Sequence, residues 1–275
     1  MKRFQQTREM QGGFGFDLET AKSLLLPGPF SLAKRLVLPV SEMIWGDAKG
    51  RADVPYPKLM PAKSIVWQMV SASYINAPAP PIRAGHYQWW MVRSQTSTMI
   101  LYEIHPSDGA RIFIVAIRGS ADMGDVRADI MIALNTLTKS ERYKQDKKQL
   151  EQWRAQYADG QPQHWLAVGH SLGGAIADRF IKDGLIESAV TYNPAIEPYA
   201  LNSLKNYRIY MHDDPLWALM GSHSDYGEVR GDPKKSVSMD AHRIANFKGG
   251  VIVSTTPPLR QLATRKLRRS NAHIV

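Results

Sequence analysis

A chain of 275 residues is long enough to bury a full core and to stand as one α/β unit, and its lack of cysteine removes disulfides, thiolate nucleophiles and cysteine-ligated zinc together. The formal charge of +10 favours approach to anionic surfaces such as phospholipid. The most apolar early region, Leu24 to Trp45, is broken by Pro27, Pro29, Lys34 and Arg35, so no segment approaches the roughly 18 apolar residues that cross a bilayer. After Met1-Lys2-Arg3, the polar residues Gln5, Gln6, Arg8 and Glu9 stand where a secretory signal needs apolar ones, and an intracellular location is expected.

Residues 1–60 carry scattered prolines and glycines without periodicity and are expected to form an N-terminal extension packed on a main domain over 61–256. Gly12-Gly13-Phe14-Gly15 lacks the spacing of a dinucleotide fingerprint. Walker loops and His-Glu-x-x-His motifs are missing too, so no cofactor and no metal are expected. From Ser64 to Asn76 the spacing of Ile65, Val66, Met69, Val70 and Tyr74 predicts a helix, which Pro78, Pro80 and Pro81 end. Met99–Ile104 and Arg111–Ile117 read as strands joined by a hairpin turn at Pro106-Ser107-Asp108-Gly109. Lys139 to Tyr157, highly charged with Leu150 and Trp153 on one face, predicts a surface helix. Two further strands, Ala189–Asn193 and Tyr207–Met211, end at Pro194 and at His212-Asp213-Asp214-Pro215. Strands alternating with helices imply a largely parallel sheet with its ligands beyond the carboxyl ends of the strands. The last segment, 257–275, has Arg260, Arg265, Lys266, Arg268 and Arg269 and no acid; it reads as a solvated basic tail rather than a nucleic-acid-binding arm.

The densest signal is Gly169-His170-Ser171-Leu172-Gly173-Gly174, lying between the apolar strand His164–Val168 and a helical run from Ala175 to Ile181. A serine at a sharp strand-to-helix turn, with glycines where side chains would collide, is the layout of a nucleophile elbow. Its hydroxyl needs an imidazole to take its proton, and the imidazole needs a carboxylate to fix its tautomer. In the order serine, acid, histidine, the acid is Asp213 or Asp214. His86 and His105 come too early, His164 precedes its strand, His170 lies inside the elbow, His212 adjoins the acids, His223 is in a polar loop and His273 is in the tail. His242 remains, in a loop that enters a short helix. Two donors are needed for a developing oxyanion: the amide of Leu172, and that of Ser120 at the end of Ile117-Arg118-Gly119-Ser120, where Gly119 lets the backbone turn.

These blocks resemble the class 3 lipase family, which is related to fungal triacylglycerol lipases. Ile117 to Ser120 is similar to the family's Phe-Arg-Gly-Thr/Ser strand, and Asp125 to Asp129 to the segment that follows it. Gly169 to Ala177 is similar to the nucleophile block, Thr191 to Pro194 to the Thr-Phe-Asn-x-Pro strand end, and His212 to Leu216 to the acid block. Ile117, Val126 and Ile176 depart from the usual Phe, Trp and Leu. The resemblance spans about 64 to 250 and implies an α/β-hydrolase fold, a mostly parallel central sheet flanked by helices, with no metal or organic cofactor. It selects Asp214, followed by Pro215-Leu216, over Asp213, and gives a Ser171, Asp214, His242 triad with Ser120 and Leu172 as oxyanion donors. It also implies a lid at about Ala121 to Thr138, where Met123, Ile130, Met131, Ile132, Leu134 and Leu137 supply apolar surface; the same apolar residues suit a buried helix equally well. The expected function is hydrolysis of acylglycerol or phospholipid esters, with an anionic membrane surface as a partner. The competing expectation is a hydrolase-fold structural or binding component of an assembly such as a viral particle.

Overall fold

A computed structural model describes residues 54–86, 88–106, 109–120, 137–197 and 200–248. The described strands form one sheet whose spatial order follows the chain: β1 (Ile82–Arg83), β2 (Trp89–Gln95), β3 (Met99–Ile104), β4 (Arg111–Ile117), β5 (Gln163–His170), β6 (Ser188–Tyr192), β7 (Asn206–Met211) and β8 (Glu228–Arg230). Pairings from β1 to β4 are antiparallel, and those from β4 to β8 are parallel. The change follows from the connections, since short turns permit only antiparallel neighbours and a parallel pair needs a crossover. The expected hairpin is the β3–β4 pair; Ser107 and Asp108 of its turn lie outside the described residues.

Both faces of this sheet are covered, so its central strands are mainly apolar and buried along their length rather than alternating buried and exposed. On one face Phe113, Val115 and Ile117 of β4 meet α2 (Glu141–Gln156) and α3 (Leu172–Lys182) through Tyr143, Leu150, Trp153, Ile176 and Phe180. Phe113 stacks on Trp165 of β5 with ring centroids 4.3 Å apart. On the other face Ile112, Ile114 and Ala116 meet α1 (Lys63–Ala72) through Val66, Met69 and Val70. Val54 and Met60, from the segment assigned by sequence to the N-terminal extension, are buried in this second cluster. Residues 1–53, the basic tail and residues 121–136 of the expected lid lie outside the described residues.

Local chemistry sets the ends of the helices. Ser140 caps α2, its hydroxyl accepting from the Tyr143 amide at 3.2 Å. The first helix stops at Ala72, four residues short of the sequence expectation, and Tyr74 therefore leaves the helical face on which its spacing placed it. A buried ion pair, Arg208 to Asp178 at 3.1 Å, ties α3 to β7. Arg208 also donates to the carbonyls of Leu201 and Asp225, and Asn206 donates to Asp178. Removing one partner of such a buried pair typically costs about 3–5 kcal/mol.

Candidate active site

Strand register brings to one edge of the sheet the strand ends that precede Ser120, Ser171 and Asp214. Ile117 pairs with Gly169 and His170 with Tyr192, so the segments after β4, β5 and β6 leave the sheet at nearly the same level. After β7, Asp213 and Asp214 lie two and three residues past Met211, itself opposite Arg230 of β8.

Ser171 occupies the turn between β5 and α3 with φ 56° and ψ −123°, a conformation that costs a non-glycine residue on the order of 1–3 kcal/mol. The turn is held by Ser171 N–H donating to the Tyr192 carbonyl at 3.1 Å and by the Ser171 carbonyl accepting from Ala195 at 3.1 Å. Its tightness explains the flanking glycines. A Cβ on Gly173 would lie 2.2 Å from the Ile117 carbonyl oxygen, and one on Gly169 would lie 2.6 Å from the Gly173 carbonyl oxygen. Ser171 is buried, and its Oγ has no hydrogen-bond partner among the described residues.

The two aspartates diverge. Asp214 is fully buried; its Oδ1 caps α4 (Pro215–Leu219) by accepting from the Leu216 amide at 2.6 Å, and its Oδ2 accepts from His242 Nδ1 at 2.7 Å. Asp213 turns toward Gly231, its Oδ1 without a hydrogen-bond partner among the described residues. His242 ends a 3-10 turn, Met239–His242, that Ser238 caps at the Asp240 amide. His242 is 1% exposed, and with Nδ1 bound to Asp214 its Nε2 has no partner among the described residues. His223 lies in another 3-10 turn, Gly221–His223, and His273 is outside the described residues.

Leu172 is the first residue of α3, so its amide has no acceptor within the helix. The Gly174 and Ala175 amides, by contrast, already donate to the Ser171 carbonyl. Ser120 is half-buried and closes the described segment after β4. Gly119 is needed there for a reason other than the one drawn from sequence. It is not among the glycines with positive φ, but a Cβ on it would lie 2.6 Å from Tyr74 Oη and 3.0 Å from Ser171 Cβ.

Three residues to which the sequence assigned no part in the site complete the surroundings. Asn193, the second of the two non-glycine residues with positive φ among those described, accepts from the Met211 amide at 2.8 Å and donates to the Ala241 carbonyl at 3.2 Å. It thereby bridges the acid segment and the histidine segment. Arg142 donates to the Arg118 carbonyl at 2.7 Å and holds the turn before Ser120. Tyr74 places its hydroxyl 2.6 Å from His170 Nδ1. No sequence signal marks these contacts, because each joins residues far apart in the chain.

The His170 ring lies tilted against that of His242, with centroids 4.8 Å apart. Burial, reinforced by the nearby His242, pushes its pKa down to about 3, against the weaker opposing effect of its bond to the His242 carbonyl. It stays neutral where an unfolded-chain histidine, near 6.5, takes up a proton. Stability should therefore fall as pH drops through the window from 6.5 toward 3, by about 1.4 kcal/mol per pH unit for this group. Urea unfolding of the parent and of His170→Gln at stepped pH checks this: the parent should lose stability more steeply, and equal slopes would contradict it.

No family model and no curated protein matches the chain. Among solved structures, a substituted form of MDLA from Penicillium cyclopium is similar at a TM-score of 0.30 and 16% identity, over 72% of this chain and 91% of that one. Among the described residues no helix is long and apolar enough to cross a membrane, and no three His, Asp or Glu side chains are grouped as metal ligands.

Proposed function

We propose that this chain is a serine carboxylic-ester hydrolase in which Ser171 is the nucleophile, His242 the general base and Asp214 its orienting carboxylate. One observation carries the reading: a buried imidazole with Nδ1 bound to a carboxylate and Nε2 unpartnered packs against His170, the chain neighbour of a buried, unpartnered serine hydroxyl on a strained turn. Buried polar atoms are nearly always paired, and unpaired ones at a strained backbone point to function. The Asp214 carboxylate can only accept, so the proton sits on His242 Nδ1 and the Nε2 lone pair is free to accept. No hydrogen bond joins Nε2 to Ser171 Oγ, as is common in sites without substrate.

In this reading Ser171 Oγ attacks the ester carbonyl carbon while its proton passes to His242 Nε2. The carbonyl oxygen becomes an oxyanion held by the amides of Leu172 and Ser120. The Leu172 donor belongs to the positive end of α3, which adds to the stabilisation. Collapse expels the alcohol, which takes the proton from Nε2 and leaves an acyl-serine. Water, deprotonated by the same nitrogen, then hydrolyses the acyl-serine and restores the serine. Every proton moves through one imidazole, so the chemistry needs no additional group.

Acylglycerol or phospholipid esters are the proposed substrates. The resemblance in the Gly169–Ala177 and Ile117–Ser120 blocks and the apolar composition of Ala121–Thr138 support them. The test is turnover by the full chain of p-nitrophenyl esters of short, medium and long acyl chains, and of dispersed acylglycerol and phospholipid. The reading expects turnover of the soluble esters and release of fatty acid from the lipids. A well-folded protein inert to all of them would favour the binding-component reading.

The proposed anionic-surface partner has its own check. At low ionic strength the +10 charge should draw the chain to phosphatidylglycerol vesicles at least about tenfold more tightly than to phosphatidylcholine vesicles, and salt should narrow the gap. Equal, salt-independent sedimentation with both would contradict it.

A further inference from the structure

Behind the elbow runs a chain of hydrogen bonds whose members take no part in bond making. The Gly119 amide donates to Tyr74 Oη at 2.9 Å, Tyr74 Oη is 2.6 Å from His170 Nδ1, and His170 Nε2 is 2.6 Å from the His242 carbonyl oxygen. The end groups fix every direction. A carbonyl only accepts, so His170 Nε2 carries the hydrogen. The buried ring is neutral, leaving a lone pair on Nδ1 that the Tyr74 hydroxyl must fill. Burial also drives the phenol pKa up, so Tyr74 keeps its proton, and its oxygen is free to accept from Gly119.

The two ends of this chain are the two places where small displacements matter most to the proposed reaction. Gly119 precedes Ser120, the second oxyanion donor, and His242 is the base. Neighbouring contacts hold the residue before it, with the Arg118 amide donating to the Thr98 carbonyl at 3.0 Å and the Arg118 carbonyl accepting from Arg142 at 2.7 Å, and leave the Gly119 amide to Tyr74. Tyr74 stands edge-on to His170, with ring centroids 5.7 Å apart, in space that a Cβ on Gly119 would occupy.

We propose that Tyr74 is a positioning residue whose hydroxyl, acting through His170, locks the oxyanion turn at Gly119–Ser120 and the backbone of His242 into one arrangement. Its catalytic consequence rests on the hydrolase reading; its geometry does not. Without the hydroxyl, the Gly119 amide loses its acceptor, and its peptide can seek another only by straining the Arg142 bond to the Arg118 carbonyl on the opposite side, which displaces the Ser120 amide that follows. His170 is then free to move its hydrogen to Nδ1 and to release the His242 carbonyl.

Tyr74→Phe in the full chain tests this, with Tyr143→Phe as control. Tyr143 is also buried, and its hydroxyl donates to Asp183 at 2.5 Å in the α2–α3 packing, so its loss reports general destabilisation. For a short p-nitrophenyl ester, Tyr74→Phe should lower kcat about 10- to 100-fold, less than outright loss of an oxyanion donor, with KM within about threefold. The inhibition constant of a boronic acid that forms a tetrahedral adduct should rise by the factor that kcat/KM loses, and Tyr143→Phe should leave both unchanged. In NMR spectra of the resting protein, the Gly119 amide and the His242 Nδ1–H resonances should shift together in Tyr74→Phe. A kcat within twofold of the parent, a loss confined to KM, or an equal loss in Tyr143→Phe would overturn the proposal. If the parent hydrolyses no ester, the hydrolase reading fails, and the spectra still decide: a Gly119 shift without a His242 shift overturns the linkage, and a joint shift upholds it.

Discussion

Ser171→Ala is expected to reduce ester turnover on the order of a millionfold while leaving the protein at least as stable as its parent. The kinetic loss follows from triad residues acting as a unit, so that removing the nucleophile leaves only binding and oxyanion stabilisation. The stability expectation follows from the site itself. Ser171 Oγ is buried without a partner, and deleting such a group relieves a desolvation cost of about 1–3 kcal/mol. Alanine inherits the positive φ, so the strain of the turn is unchanged. Activity and stability therefore move in different directions, which separates lost chemistry from lost structure. Thermal unfolding beside the kinetics checks this; a variant that melts well below the parent, or retains a tenth of its activity, would contradict it.

Asp214→Asn is expected to cost about a thousand- to ten-thousandfold in kcat, whereas Asp213→Asn should stay within a fewfold of the parent. Asp214 serves two donors, the Leu216 amide and His242 Nδ1–H, with one oxygen each. Asparagine has one oxygen. If that oxygen keeps the cap on α4, the amide nitrogen faces Nδ1, donates to it and drives the imidazole hydrogen onto Nε2, where it blocks proton transfer from serine. If the oxygen instead faces His242, the cap is lost, at about 1 kcal/mol. Asp213 touches neither donor, so its substitution leaves the tautomer alone. Activity lost in Asp213→Asn and kept in Asp214→Asn would reverse the assignment.

The sequence carried much of this site because local chemistry writes local signals. The elbow is legible where an apolar strand, a glycine-flanked serine and a helical run follow one another, and those glycines are where Cβ atoms would strike the Ile117 and Gly173 carbonyls. The acid pair was legible as a strand end, and residue chemistry alone left both members open; the resemblance chose Asp214 through Pro215-Leu216, and the cap on α4 gives the physical reason, since it turns Asp214 inward. His242 emerged only by elimination, since a four-residue 3-10 turn leaves no periodicity. In the fold, β3 to β7 were readable as apolar runs. β2 escaped notice because its burial is partial and a bulge between Val92 and Ser94 breaks its alternation. β8 was hidden by charge: its Glu228 and Arg230 are buried because they pair with each other and Glu228 pairs with Lys63. Tyr74, Arg142 and Asn193 act across 18 to 96 positions of chain, a distance over which sequence spacing says nothing.

An activated Ser171 reacts with a fluorophosphonate probe whether or not its substrate is known. Incubation of the folded full chain with the probe, followed by digestion and mass spectrometry, should place one phosphonyl group on Ser171. The adduct should be missing in Ser171→Ala and strongly slowed in Asp214→Asn. A folded chain that remains unmodified, or that carries the phosphonyl group on another residue, would contradict the account.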